Sequence, residues 1–206
     1  MNNGNNHVEL CGEIVSRFTY SHEYRGEKFY TFDLVVRRKS GVFDSIPVIA
    51  SGYLLDEIDD RQGYYMRIYG DFRSFRNPNN KHCMMYVFAK ELTYVKKNKE
   101  INCFTATGFL CRKKEIRRTK DRTIIDYMLA INRNYYGKAD YIPCIAWNRY
   151  ATAISKLEKG TLIKVNGRIQ SREYAKRLDD GTFEIRTAYE VSISSFNEIM
   201  TESEVS

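Results

Sequence analysis

The chain is poor in proline, histidine and tryptophan, with 3, 3 and 1 among 206 residues. So little proline argues against long disordered or proline-rich stretches. His7, His22 and His82 are scattered, and no carboxylates cluster around them, so a nuclease or other hydrolytic centre is not expected. The five cysteines, Cys11, Cys83, Cys103, Cys111 and Cys144, form no CxxC pair, and an odd number makes a poor disulfide framework. They read as buried thiols, with no metal site and no cofactor. No apolar run approaches the ~20 residues of a membrane span. Met1–Asn6 is polar without a hydrophobic signal core, so a cytoplasmic protein is expected.

What the chain does have is tyrosine, phenylalanine and positive charge. It carries 16 Tyr and 11 Phe, many beside Lys or Arg, and a formal net charge of +7. Most such rings serve as half-buried strand residues, yet rings interleaved with cations also suit a nucleic-acid strand. The charge is unevenly shared: residues 1–100 hold 15 Lys and Arg against 13 Asp and Glu, and residues 101–206 hold 18 against 13. The second half is therefore the candidate for a phosphate-binding surface.

The two halves are related. Gly12, Arg37, Pro47, Ile49 and Ala50 fall opposite Gly108, Arg133, Pro143, Ile145 and Ala146 at a shift of 96. After one inserted residue, Gly63, Gly70, Phe72 and Ser74 fall opposite Gly160, Gly167, Ile169 and Ser171 at a shift of 97. A period this long is the size of a small domain and not of a solenoid repeat. Two modules are expected, at residues 7–96 and 101–197, joined by the charged run Lys96–Ile101.

Within the first module, alternating apolar residues predict strands from His7, over 28–37, 43–50, 64–75 and 83–95, with Gly70 marking a bend or bulge. A helical candidate spans 52–63. The second module repeats the order with strands over 103–115, 123–132, 141–147, 162–172 and 182–195, and a helix over 150–157 stopped by Gly160. Asp179-Asp180-Gly181 closes its last hairpin. Five strands with one helix between the third and fourth is the layout of an OB-fold, so the expectation is all-β, two tandem five-stranded OB-fold barrels.

The segment Tyr141-Ile-Pro-Cys-Ile-Ala-Trp147, the Lys159-Gly160 helix stop, Gly167-Arg-Ile-Gln-Ser-Arg-Glu-Tyr174 and the earlier Leu129-Ala-Ile-Asn-Arg133 resemble the bacterial single-stranded DNA-binding protein family. The first module looks like a diverged copy, keeping Gly12, Leu34-Val-Val-Arg37, Gly63 and Tyr69-Gly-Asp-Phe72. The resemblance implies sequence-tolerant, non-catalytic binding of single-stranded DNA in replication, recombination or repair. Stacking positions would be Tyr141, Trp147 and Tyr174, with Tyr135 or Tyr136 nearby. Phosphate contacts would come from Arg133, Arg149, Arg168, Arg172 and the cluster Arg112, Lys113, Lys114, Arg117, Arg118, Lys120 and Arg122.

In the first module Ser45, Ser51 and Asn77 stand where the second has Tyr141, Trp147 and Tyr174, and Asp71 stands opposite Arg168. Weaker binding there is expected, with Phe43, Tyr53, Phe75 and Arg73 as a displaced surface. The family usually works with four modules, which implies a homodimer here and a nucleoid-associated location. It often ends in an acidic tail with an apolar tip; Glu202, Glu204 and Ser206 do not provide one, so recruitment of replication proteins that way is not expected. The alternatives are a protein-interaction module of a primosome-like or conjugative assembly, and single-stranded RNA binding.

Overall fold

The computed structural model describes residues 4–56, 58, 63–76, 83–96, 100–133 and 137–200. The first half holds β1 (Asn6–Ile14), β2 (Thr19–Tyr24), β3 (Glu27–Arg37), β4 (Phe43–Ser51), α1 (Gly52–Leu55), β5 (Tyr65–Arg76) and β6 (Cys83–Val95). The second holds β7 (Ile101–Lys113), β8 (Arg117–Arg118), β9 (Thr123–Asn132), β10 (Ala139–Trp147), α2 (Asn148–Lys156), β11 (Leu162–Arg177) and β12 (Phe183–Glu198). β1 pairs with β3 and β5, β3 with β4, and β6 with both β5 and, in parallel, β4, so five strands close a ring. β7, β9, β10, β12 and β11 close a second ring with the same order, including the one parallel pair β10–β12. Both are OB-folds, and each interior is filled by the inward half of the alternating positions, such as Leu10, Phe32, Ile46, Met66 and Phe72 in one and Leu110, Leu129, Ile142, Val165 and Ile169 in the other.

The glycines that keep register in the repeat are explained by close approach. A Cβ on Gly12 would sit 2.2 Å from the Val35 carbonyl oxygen, and one on Gly108 2.6 Å from that of Ala130. These are the points where the first strand of each module crosses the second to close the ring. The expected irregularity at Gly70 is present as a register shift between Tyr69 and Gly70, matched by one between Asn166 and Gly167.

Four expectations need correction. Two short strands, β2 and β8, were not foreseen; every residue of β2 is exposed, so no alternation marks it. The first helix covers Gly52–Leu55 and is capped at Asp56; of the remainder of the expected 52–63, residues 57 and 59–62 lie outside the described residues. The second begins two residues early, at Asn148. Finally, Cys11 and Cys144 are buried but Cys83 and Cys103 are exposed.

The two rings are joined about a pseudo-two-fold axis into one sheet of twelve strands. β1 runs antiparallel to β7, from Asn6 opposite Ala106 to Cys11 opposite Ile101, centred on Val8 opposite Phe104, which are themselves equivalent in the repeat. Around that centre the contacts come in matched pairs. The Asn6 amide donates to the Phe72 carbonyl (2.7 Å) and accepts from its N–H, and Asn102 does the same to Ile169 (2.7 Å). Asp44, fully buried and paired with Arg38, accepts the Ser171 N–H of the other module (2.7 Å). Asp140, also buried and paired with Arg133, accepts the Ser74 N–H of the first (2.8 Å). In both latches the arginine donates back to that serine's carbonyl, at 3.2 Å for Arg38 and 3.0 Å for Arg133.

Candidate nucleic-acid interface

The core alternation of β10 buries Ile142, Cys144 and Ala146 and therefore turns Tyr141, Pro143 and Trp147 outward on one face. Tyr141 is 51% exposed. Its N–H donates to the Ser74 hydroxyl of the first module (2.8 Å), so this ring stands at the seam between modules. Trp147, at the far end of the strand about 20 Å away, donates its indole N–H to Ser192 Oγ (3.3 Å) and carries the Arg122 guanidinium over its ring at 5.6 Å. Asn148, the next residue, has φ of 50° and turns the chain from strand into α2, a conformation asparagine tolerates.

Beside Pro143 lies a groove lined by Arg112, Lys114 and Arg172 together with the carboxylates Asp126 and Glu190 and the Tyr189 ring. One wall is the β11–β12 hairpin, where Arg172 pairs with Ala188 and Tyr174 with Arg186, placing two cations and a ring on the same face. Tyr174 is 38% exposed and Arg172 is exposed with no ion pair among the described residues. The hairpin is closed as expected: the Asp180 carboxylate accepts the Thr182 N–H and hydroxyl (2.9 and 2.6 Å), and these hydrogen bonds hold its pKa below the ordinary value.

The other expected cations separate into two groups. Arg118 and Lys120 are exposed without a carboxylate partner among the described residues, as is Arg168, which bonds only Gln170 Oε1 (3.2 Å). Arg117 pairs with Asp126 (2.8 Å), which also faces Lys114. Arg149 lies over the Tyr150 ring at 4.7 Å and donates to its hydroxyl. Arg133 is committed to Asp140 and Ser74, the module seam, and not to the open groove. Tyr135 and Tyr136 lie outside the described residues, as does Asn77.

In the first module the place of Trp147 is taken by Ser51, whose hydroxyl caps α1 by accepting the Tyr53 N–H (3.2 Å). Tyr53 is 76% exposed and lines a groove with Lys28 and Tyr30, while Phe43 and Phe75 are exposed on β4 and β5. Asp71 binds Arg73 (2.8 Å) and Lys90 (2.5 Å), so Arg73 is already neutralised. Sequence reasoning did not single out Arg186, which stands on the Tyr174 face and is ion-paired with Glu184 (2.6 Å). Counting back symmetrically from the Asp179-Asp180-Gly181 turn would have set it opposite Tyr174.

Residues 101–199 match the Single-strand binding protein family. The chain is 36% identical over 81 residues to Single-stranded DNA-binding protein 1 of Lactococcus lactis, covering 36% of the chain and 54% of that protein. It is 31% identical over 90 residues to Single-stranded DNA-binding protein A of Bacillus subtilis, covering 40% of the chain and 52% of that protein. The chain thus spans about half the length of these relatives. Among solved structures it superposes on the wild-type single-stranded DNA binding protein from Thermus aquaticus with a TM-score of 0.75 at 19% identity, covering 96% of this chain and 94% of that one. At that identity the likeness is one of fold, and it extends over both modules. Among the described residues no three His, Cys, Asp or Glu side chains are grouped to hold a metal ion, and no helix is long and apolar enough to cross a membrane.

Proposed function

We propose that this chain is a non-catalytic, sequence-tolerant single-stranded DNA-binding protein of the tandem double OB-fold form, acting in the cytoplasm on replicating, recombining or damaged DNA. The modules are residues 7–96 and 101–197. The observation that carries the reading is the outward row Tyr141, Pro143 and Trp147 flanked by Arg122, Arg112 and Arg172, in the part of the chain that matches the family. Unpaired bases stack on such rings while the cations follow the phosphates, and neither contact reads sequence. The second module carries most of the binding, because the first has Ser51 in place of Trp147 and an already paired Arg73.

Trp147 is the only tryptophan, so its emission reports on one site. Oligo(dT) is expected to quench it, and Trp147→Ala to weaken binding by about 1–3 kcal/mol, the scale of one stacked base. Unchanged fluorescence and anisotropy at saturating oligo(dT) would refute the reading. We further propose that two chains pair to present four modules. Phe183 and Ile185, 68% and 66% exposed on one face of the β11–β12 hairpin, support a buried apolar contact. A particle that sediments as a monomer at micromolar concentration with undiminished DNA binding would overturn the pairing.

A further inference from the structure

On one side of the pseudo-two-fold axis the modules enclose a cleft of about 780 Å³, within the range of roughly 300–1,000 Å³ typical of ligand sites. Four cations line it: Arg37, Arg38 and Lys39 from the first module and Arg168 from the second. Two of its three carboxylates are ion-paired and the third accepts hydrogen bonds from neutral groups, so the four cations still outnumber the acids. Glu9 is held by Arg67, Asp44 by Arg38 and Ser171, and Glu100 by the Arg37 N–H and the Tyr65 hydroxyl. Arg168 and Lys39 are left without an anionic partner among the described residues. Desolvation and the nearby Arg38 guanidinium lower the Arg168 pKa, the opposite of what a paired arginine shows, as in Arg38 and Arg133.

At the repeat position of Arg168 the first module has Asp71, which is ion-paired with Arg73 and Lys90, so a paired carboxylate stands where the second module has an arginine without an anionic partner among the described residues. Arg168 also lies on the same face of β11 as Arg172 and Tyr174, at spacings of four and six residues, which leads from the open groove of the second module directly into the cleft.

We propose that this cleft is a phosphate site, taking a backbone phosphodiester of a single strand as it crosses from the second module to the first over Arg168, Arg37 and Lys39. A phosphate oxygen there supplies the anion that Arg168 lacks, through charge-assisted hydrogen bonds. The strand therefore passes on one side of the axis only, and the path has a fixed asymmetry despite the repeat. The site rests on the single-strand reading above and adds to it a route and a contribution from the first module.

The test uses the full chain, with anisotropy titrations of a short oligo(dT) of about 8 nucleotides and a long one of about 30, since each OB-fold covers about 4–16. Wild type is compared with Arg168→Gln, Lys39→Gln and the charge-retaining Arg168→Lys, over a series of salt concentrations. For the long oligomer, Arg168→Gln and Lys39→Gln are each expected to reduce the salt slope by about 0.7, the value of one phosphate contact on a single strand. Arg168→Lys should restore most of it. For the short oligomer, which the second module's rings hold alone, Lys39→Gln should have no effect. Slopes for the long oligomer that match wild type in both Gln variants would overturn the proposal, as would equal losses on the short oligomer with Lys39→Gln. Lys39 is exposed in a turn, so its variant keeps the test intact if Arg168→Gln is poorly folded. Failure of wild type to bind either oligomer would instead strike the single-strand reading itself.

Discussion

Trp147 and Ser51 occupy the same place in the repeat and do opposite things: one leaves an indole facing outward with a guanidinium over it, the other turns its side chain back to cap a helix. That difference was legible in the sequence, because residue type alone decides whether a ring is present at that place. The fate of the arginines was not. Arg133 and Arg172 look alike as isolated cations, and only the fold brings Asp140 and the Ser74 carbonyl to the first while leaving the second open. Arg172→Ala is accordingly expected to weaken oligo(dT) binding and flatten its salt dependence, whereas Arg73→Ala, which removes a cation already held by Asp71, should change both much less. Equal losses in the two variants would show that both modules bind alike. Tyr127 makes a separate point. Its hydroxyl is buried with no hydrogen-bond partner among the described residues beyond the weak contact to the Cys144 thiol, and burial drives its pKa well up. Tyr127→Phe removes an unsatisfied polar atom and keeps the ring, so thermal denaturation should show an unchanged or raised midpoint.

Among the elements, those with alternating burial were readable and those without were not. Strands β1, β3 to β7 and β9 to β12 each carry an inward apolar set, whereas β2 is exposed on every residue and β8 is two arginines long. Both lie at the sheet's outer edges, where pairing on one side suffices, and their charge and brevity limit further edge pairing. The helices follow the same logic: α2 has Ala151 and Ile154 to bury, while α1 has only Leu55. The glycines give the element-scale prediction. Gly12→Ala and Gly108→Ala would drive a Cβ against a carbonyl oxygen at 2.2 and 2.6 Å, with backbone that cannot rotate away. Each should destabilise by about 1–3 kcal/mol or more, in the range of overpacked cores, with Gly12→Ala the worse. Chemical denaturation with tryptophan fluorescence and circular dichroism would measure it, and a neutral Gly12→Ala would mean that β1 and β3 do not cross as closely as described.

At the scale of the whole molecule, the repeat predicts two modules but not how they meet, since the 96-residue register is silent about which residues of one half touch the other. What joins them is a pair of reciprocal latches: a buried Asp–Arg pair on β4 and β10 that takes the N–H of a serine on the opposite module. The symmetry makes the energetics testable. Removing a carboxylate from a buried ion pair costs about 3–5 kcal/mol when the remaining charge is fully buried; Arg38 and Arg133 keep 21% and 24% of their side chains exposed, so Asp44→Ala and Asp140→Ala belong at or below the lower end of that range. The Asp44→Ala loss should be the larger, because the Arg38 it strands lies near Arg168, whereas Arg133 lies near Asp71. Ser171→Ala should be much milder, since Asp44 bonds chiefly to the Ser171 N–H, which alanine retains, and only at 3.3 Å to its hydroxyl; Ser74→Ala should cost more, because its hydroxyl also accepts the Tyr141 N–H at 2.8 Å. If the latches hold the modules together, the double variant Asp44→Ala with Asp140→Ala should separate the unfolding of the two rings, which a calorimetric trace would show as two transitions in place of one. A single transition in the double variant, shifted no further than in either single one, would mean that the β1–β7 pairing suffices to fuse the halves, and that the buried pairs set the orientation of the modules without contributing to their coupling.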